Sequence, residues 1–285
     1  MLLDAHQHVN WHGYDIDAIV ANMDEHHIDK TWLLTWDAKD SEVDDIYWRV
    51  VDPRRMSMPL EDVLEACRRY PDRFIPGYAP DPRDPRSMGM LESAVKMFSV
   101  KVYGEWKYRV LVDSPECINL FRLCGQLNLP AVIHLDVPYL PPNDLSKYFK
   151  YWYGGTIDNL ARAVEACPDT IFLGHGPGFW RSLSGDADER EEIYPEGDLV
   201  PGGKIAPLMR QFPKLWCDLS AGSAHRALSR NREFTLAFID EFQDRLLFAR
   251  DQFDSIMYDL LKSLELDKTI EDKLFSGNAL KLVPC

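Results

Sequence analysis

The sequence predicts an α/β fold, a single (β/α)₈ TIM barrel with long loops after its strands. Three observations predict it. Eight short apolar runs punctuate the 285 residues, helical patterns separate them, and no glycine fingerprint follows the first run. Near-continuous apolar character over strand length marks strands buried on both faces of a parallel sheet.

The runs follow in order. The first, 1–8 (MLLDAHQH), ends in His6 and His8. A helix follows it to His26 and His27, where imidazole suits the negative end of the helix dipole. Run two is 30–36 (KTWLLTW), and a long loop, 37–58, separates it from a helix at 61–69. Val63, Leu64 and Cys67 share one face of that helix. Run three, 73–80 (RFIPGYAP), starts after the helix stop YPDR. Run four is 99–105 (SVKVYGE), with a loop at 106–114, and run five is 130–136 (PAVIHLD), with a loop at 137–153.

A helix at 157–167 gathers Ile157, Leu160, Ala161 and Val164 on one side. The stop CPDT introduces run six, 170–176 (TIFLGHG), and a loop rich in glycine, proline and acid spans 177–203. FPK introduces run seven, 214–220 (KLWCDLS). A helix at 233–243 aligns Phe234, Phe238, Ile239 and Phe242, and run eight is 245–251 (RLLFARD). A final helix covers 268–282. No linker or low-complexity tract divides the chain, so one domain over 1–285 is expected. In such a barrel the loops after the strands build the site, so the long ones are expected to shape a pocket.

The formal charge of -14 disfavours a nucleic-acid partner, because phosphates would meet a repulsive average field. No apolar run approaches the ~18 residues a membrane span needs, and the N-terminus carries no signal-peptide pattern. The six cysteines form no C-x-x-C pair, so a reducing, cytoplasmic setting without disulfides is expected. The expected partner is a small-molecule substrate, and the sequence admits a homo-oligomer.

The chemistry gathers where strands end. His6 and His8 close run one, and period-two spacing sets both on one face of the strand. His134 closes run five, His175 run six and Asp251 run eight. Imidazole and carboxylate together suit a borderline divalent metal, Zn²⁺ first, with Mn²⁺, Fe²⁺ or Co²⁺ admitted.

DAHQH at 4–8, VIHLD at 132–136, FLGHGPGFW at 172–180, LLFARD at 246–251 and SGNALKL at 276–282 form an ordered set. By that set the whole chain resembles the amidohydrolase superfamily, in its amidohydrolase-related branch of decarboxylase-like enzymes, hydrolases and lactonases. The resemblance implies one metal held by His6, His8, His134 and Asp251, with Asp251 and His175 as catalytic groups. Two departures stand out. Arg250 replaces the small residue common before the strand-eight aspartate. Lys101 lies on strand four, where some relatives carry a carboxylated lysine that bridges two metals.

The implied reaction is hydrolysis of an amide or lactone bond in a small carboxylated or cyclic substrate by a metal-activated water. The alternative is a non-oxidative decarboxylase on the same site. A barrel without catalysis is a third reading, which loss of a ligand would favour.

Weaker candidates surround the mouth. Glu105, just past strand four, is an extra ligand or an exposed loop carboxylate. Arg109, Arg181 and Arg226 are candidate clamps for a substrate carboxylate. His12 and His225 follow strands, and Asp218 and Ser220 lie near the same mouth. Trp11, Trp36, Trp48, Trp106, Trp152 and Trp180 are expected to wall the pocket or a subunit interface.

Overall fold

The structure, a computed structural model, describes residues 1–37, 57–136, 153–190 and 192–284. Its strands are β1 (Leu3–Gln7), β2 (Lys30–Leu33), β3 (Phe74–Pro76), β4 (Tyr103–Trp106), β5 (Ala131–His134), β6 (Phe172–His175), β7 (Leu215–Leu219) and β8 (Leu246–Phe248). All pair in parallel, in the orders β1-β2-β3 and β4-β5-β6-β7-β8.

Hydrogen bonds cross both seams between these groups. Lys101 N–H donates to Pro76 O at 2.9 Å and Tyr78 N–H to Val102 O at 3.0 Å, joining β3 to β4. Asp251 N–H donates to His6 O at 2.9 Å, joining the end of β8 to β1. The eight predicted runs are thus the eight strands of a (β/α)₈ fold.

One apolar cluster takes residues from every strand or its edge: Leu3, Trp32, Ile75, Val102, Val132, Leu173, Trp216 and Leu247. Each such side chain gains about 1.5–3 kcal/mol from leaving water, so this interior fixes which face of every strand points inward. Ala279 and Val283 join the cluster from the C-terminal segment. A second, larger layer of apolar residues fills the space between strands and helices.

The helices are α1 (Ile16–Glu25), α2 (Leu60–Arg69), α3 (Ser87–Phe98), α4 (Pro115–Leu127), α5 (Ile157–Ala166), α6 (Pro177–Trp180), α7 (Ile205–Gln211), α8 (Ala221–Ser229), α9 (Arg232–Phe242), α10 (Ile256–Ser263), α11 (Lys268–Asp272) and α12 (Asn278–Leu282). Local chemistry sets their ends. Asp15 caps α1 by accepting from Ala18 N, Thr156 and Asn159 form a capping box on α5, and Pro115 starts α4. The expected helix over 268–282 is realised as α11 and α12 joined by a wider turn at Lys273–Gly277.

Two strands break the period-two rule. Between Asp4 and Gln7, β1 spends three steps while β2 spends two, from Thr31 to Leu33. Between Tyr103 and Trp106, β4 does the same against β5, from Ala131 to Ile133. Each irregularity is a bulge, which reverses the facing of all later side chains on its strand. In β1, Ala5 belongs to the interior cluster, and the rings of His6 and His8 turn into the mouth. In β4, Val102 points inward below the bulge and Glu105 points inward above it.

The expected loops at 37–58 and 137–153, with Trp48 and Trp152, lie almost wholly outside the described residues. The cysteines Cys67, Cys117, Cys124, Cys167 and Cys217 are free, and all but Cys67 are buried. Among the described residues no helix is long and apolar enough to cross a membrane.

Candidate metal centre

Three groups of donors meet at the C-terminal mouth of the strands. Two of them, His6, His8 and Asp251 and Glu105, His134 and His175, are separate, and the third, His6, His175 and Asp218, runs between them. His6 Nε2 and His8 Nε2 stand 3.1 Å apart. Asp251 Oδ1 lies 3.4 Å from His8 Nε2 and 3.8 Å from His6 Nε2. Asp251 sits three residues beyond β8, in the left-handed region at φ 54°. Its amide bond to His6 O and the Trp11 indole N–H on its carbonyl, at 3.0 Å, hold it there.

Glu105 joins the groups. Its Oε1 lies 2.7 Å from His134 Nδ1 and 3.3 Å from His175 Nε2, and its Oε2 lies 3.4 Å from His8 Nε2. It is buried on β4 itself, which corrects the reading of an exposed loop carboxylate. Lys101 is exposed just before β4, far along the strand from the mouth side, and takes no part.

Every ring is held from behind. His6 Nδ1 donates to Asp218 Oδ2 at 2.6 Å, and His8 Nδ1 donates to the Leu34 carbonyl at 2.9 Å. His175 Nδ1 bonds Ser220 Oγ at 2.8 Å, and His134 Nε2 donates to Asp136 Oδ1 at 2.9 Å. Such outer partners fix the tautomer and turn the other ring nitrogen toward a metal. The glycines of 174–178 bring Asp136 close: a Cβ at Gly178 would lie 2.1 Å from Asp136 O, and Gly176 takes φ 87°.

These residues fit a divalent cation. With Nδ1 of both His6 and His8 committed as donors, their Nε2 lone pairs face one another at 3.1 Å, an arrangement that calls for a cation between them. His175 Nε2 is buried without a hydrogen-bond partner and opens on the same space. The electrostatics show the same demand. Burial opposes charge on His8, yet Asp251 and Glu105 outweigh it and raise His8 to about 10. Burial pushes Asp251 and Glu105 up, but the facing imidazoles bring Asp251 down to about 2 and hold Glu105 well below the usual carboxylate range.

Residues 3–285 match the sequence profile of the family described as Amidohydrolase. The chain belongs to the amidohydrolase family. It is therefore an enzyme, and amidohydrolases bind a divalent metal. Three solved structures resemble this amidohydrolase in fold. An uncharacterised TIM-barrel protein from Bordetella bronchiseptica has a TM-score of 0.66 at 15% identity, covering 99% of this chain and 98% of its own. A dihydroxybenzoic acid decarboxylase from Polaromonas, with bound manganese and the inhibitor 2-nitroresorcinol, scores 0.61 at 18% identity, covering 95% and 86%. A probable 2-pyrone-4,6-dicarboxylic acid hydrolase from Acinetobacter baumannii scores 0.59 at 15% identity, covering 99% and 98%. No curated protein matches the sequence.

A cavity of about 670 Å³ opens above the centre of the amidohydrolase and is lined by His134, His175 and Asp251. Trp11, His12, His225 and Arg226 line it too. Lys107, unremarked in the sequence, is buried in its wall over the rings of Trp36 and Tyr153. Burial opposes its charge, but Glu105 and Asp136 keep the ammonium positive.

Other expectations end elsewhere. Arg181 is buried and donates to the carbonyls of Ala187 and Arg190, so it shapes the loop rather than clamping a substrate. Arg109 lies over the Tyr153 ring. Trp106 and Trp180 fill the layer between strands and helices. His26 and His27 line a separate cavity of about 560 Å³ that no residue of the two donor groups reaches. Asp136 escaped notice, although it stands two residues after His134 and so shares its facing.

Proposed function

We propose that this amidohydrolase is a hydrolase of small ester, lactone or amide substrates, built as one catalytic unit over residues 1–285. In this reading His6, His8 and Asp251 would hold one divalent ion, and Glu105, His134 and His175 would hold a second. The position of Glu105 carries the reading, because each of its oxygens faces a different donor group. The single-ion expectation left Glu105 as an extra ligand or an exposed loop carboxylate. The donors are borderline to hard, so Zn²⁺ and Mn²⁺ both suit them.

Divalent ions held there would supply Lewis acidity, lowering the pKa of a water and polarising a carbonyl. The chain's own residues supply the rest. Asp251, kept ionised by the imidazoles around it, accepts a proton from the attacking water. Lys107 offsets negative charge that grows on the substrate oxygen. Asp218, Ser220 and Asp136 keep His6, His175 and His134 turned to the centre.

Two carboxylates at the centre also bear on the type of reaction. A substrate carboxylate would meet Glu105 and Asp251 as well as the ions, whereas a neutral carbonyl escapes that repulsion. This supports hydrolysis over decarboxylation.

Elemental mass spectrometry of the wild type and Glu105→Gln tests the proposal, alongside assays of an ester, lactone and amide panel and of CO₂ release from aromatic acids. The expected result is near two transition-metal ions per chain, fewer in Glu105→Gln, and acid release from the panel. No metal retained after Zn²⁺ or Mn²⁺ is added back, or CO₂ as the product, would sink it.

A further inference from the structure

The first turn of α8 opens on the cavity above the metal centre, where Ala221, Gly222 and Ser223 form part of the wall. A helix start leaves its first amides without an intrahelical acceptor, and a capping side chain ordinarily takes them. Here Ser220 holds the capping position but makes no cap bond; its hydroxyl goes to His175 Nδ1 instead. The Ala221 amide donates to Arg250 O at 2.8 Å. The amides of Gly222 and Ser223 remain at the positive end of the helix dipole.

A second observation points to a ligand at this place. The Ser223 hydroxyl is buried, with the residue 3% exposed, and has no hydrogen-bond partner. Leaving such a group unmatched is unfavourable, so an oxygen that reaches it gains accordingly. One turn on, Arg226 also lines the cavity, its guanidinium 4.9 Å from the centroid of the Tyr194 ring. A Cβ built on Gly222 meets nothing within 4 Å, so the cavity is open beside this residue. The chain carries a formal charge of -14, and an anion entering the mouth needs a local positive pole such as this one.

We propose that the α8 start, with the Ser223 hydroxyl and Arg226, binds a carboxylate of the substrate. This rests on the hydrolase reading and sharpens its substrate class: a small acid whose carboxylate stands apart from the carbonyl that reacts. One guanidinium and two amides match the single charge of a carboxylate. The placement also keeps that carboxylate away from Glu105 and Asp251.

The test is titration of the full-length, metal-loaded protein by ligand-observed NMR with two probes, 3-acetylbenzoate and acetophenone. They share a ketone for the metal centre and differ by one carboxylate. In the wild type 3-acetylbenzoate is expected to bind about tenfold tighter, the worth of one charge-assisted hydrogen bond. Ser223→Ala and Gly222→Ala, the second a methyl added to the cavity wall, are expected to abolish that advantage while acetophenone affinity and metal content hold. Equal binding of the two probes in the wild type, or an advantage that survives both substitutions, overturns the carboxylate site. Metal analysis of the same samples reports separately on the hydrolase reading. A metal-free protein whose preference for 3-acetylbenzoate still depends on Ser223 keeps the subsite and removes the hydrolase.

Discussion

The two donor groups at the mouth are built differently. His6, His8 and Asp251 come from the β1–β8 seam, where a bulge and a left-handed residue aim them. His134 and His175 come from regular strands that pair residue for residue, His134 opposite His175. Glu105, which ties the groups together, depends on a second bulge. The seam side is thus set by irregular backbone, and the β5–β6 side by plain strand periodicity. Irregular backbone must be held by surrounding contacts, so the two sides should respond differently to substitution.

The largest effect is expected at the seam. Asp251→Asn removes the proton acceptor while leaving the shape almost unchanged. Turnover should fall about 10²–10⁴-fold, measured against whichever panel substrate the wild type cleaves. A loss below tenfold would move the base to another residue and make Asp251 a holder of the ion alone.

Beneath the seam lies a buried ion pair. Arg250 Nε donates to Asp4 Oδ2 at 2.8 Å, while Asp4 Oδ1 also accepts the amides of Arg250 and His6. Burial pushes the Asp4 carboxyl up even with Arg250 beside it. Arg250→Met strands that carboxylate, and a cost of about 3–5 kcal/mol is expected in chemical denaturation. Unchanged stability would mean that the arginine is not what holds the bulged strand to β8.

Much of this was legible. The eight runs are the eight strands, and His6, His8, His134, His175 and Asp251 all reach the mouth. Strand-end position alone carried those residues, because parallel strands deliver their C-terminal ends to one face. Glu105 was not legible in its role. Strict alternation from Val102 puts Gly104 and Trp106 inward and Glu105 outward. The bulge reverses this, and nothing in KVYGEWK announces a bulge beyond the glycine. Arg181 misled for the opposite reason: its carbonyl partners are irregular loop backbone, which no periodicity places.

The outer partners separate the groups further. Asp218→Asn loosens His6 and Asp136→Asn loosens His134. Each is expected to weaken one ion by about 10–100-fold and leave the other, read as metal retained per chain across a chelator series. If both substitutions release both ions together, the two groups form one cooperative centre around Glu105 and the contrast drawn above fails.

The smallest effect is expected at Ser220, which bonds His175 Nδ1 at 2.8 Å. His175 sits on a regular strand between buried neighbours, so its backbone is placed without that hydroxyl. Ser220→Ala removes one neutral hydrogen bond, about 0.5–1.5 kcal/mol, or roughly two- to tenfold in affinity for the ion on the β5–β6 side. The same change frees nothing at the start of α8, because the serine made no cap bond there. Helix stability should therefore stay level while metal affinity slips, and thermal melting of the metal-free protein checks the first half of that expectation. A drop in melting temperature as large as that of Arg250→Met would show that Ser220 supports the fold rather than the ring of His175.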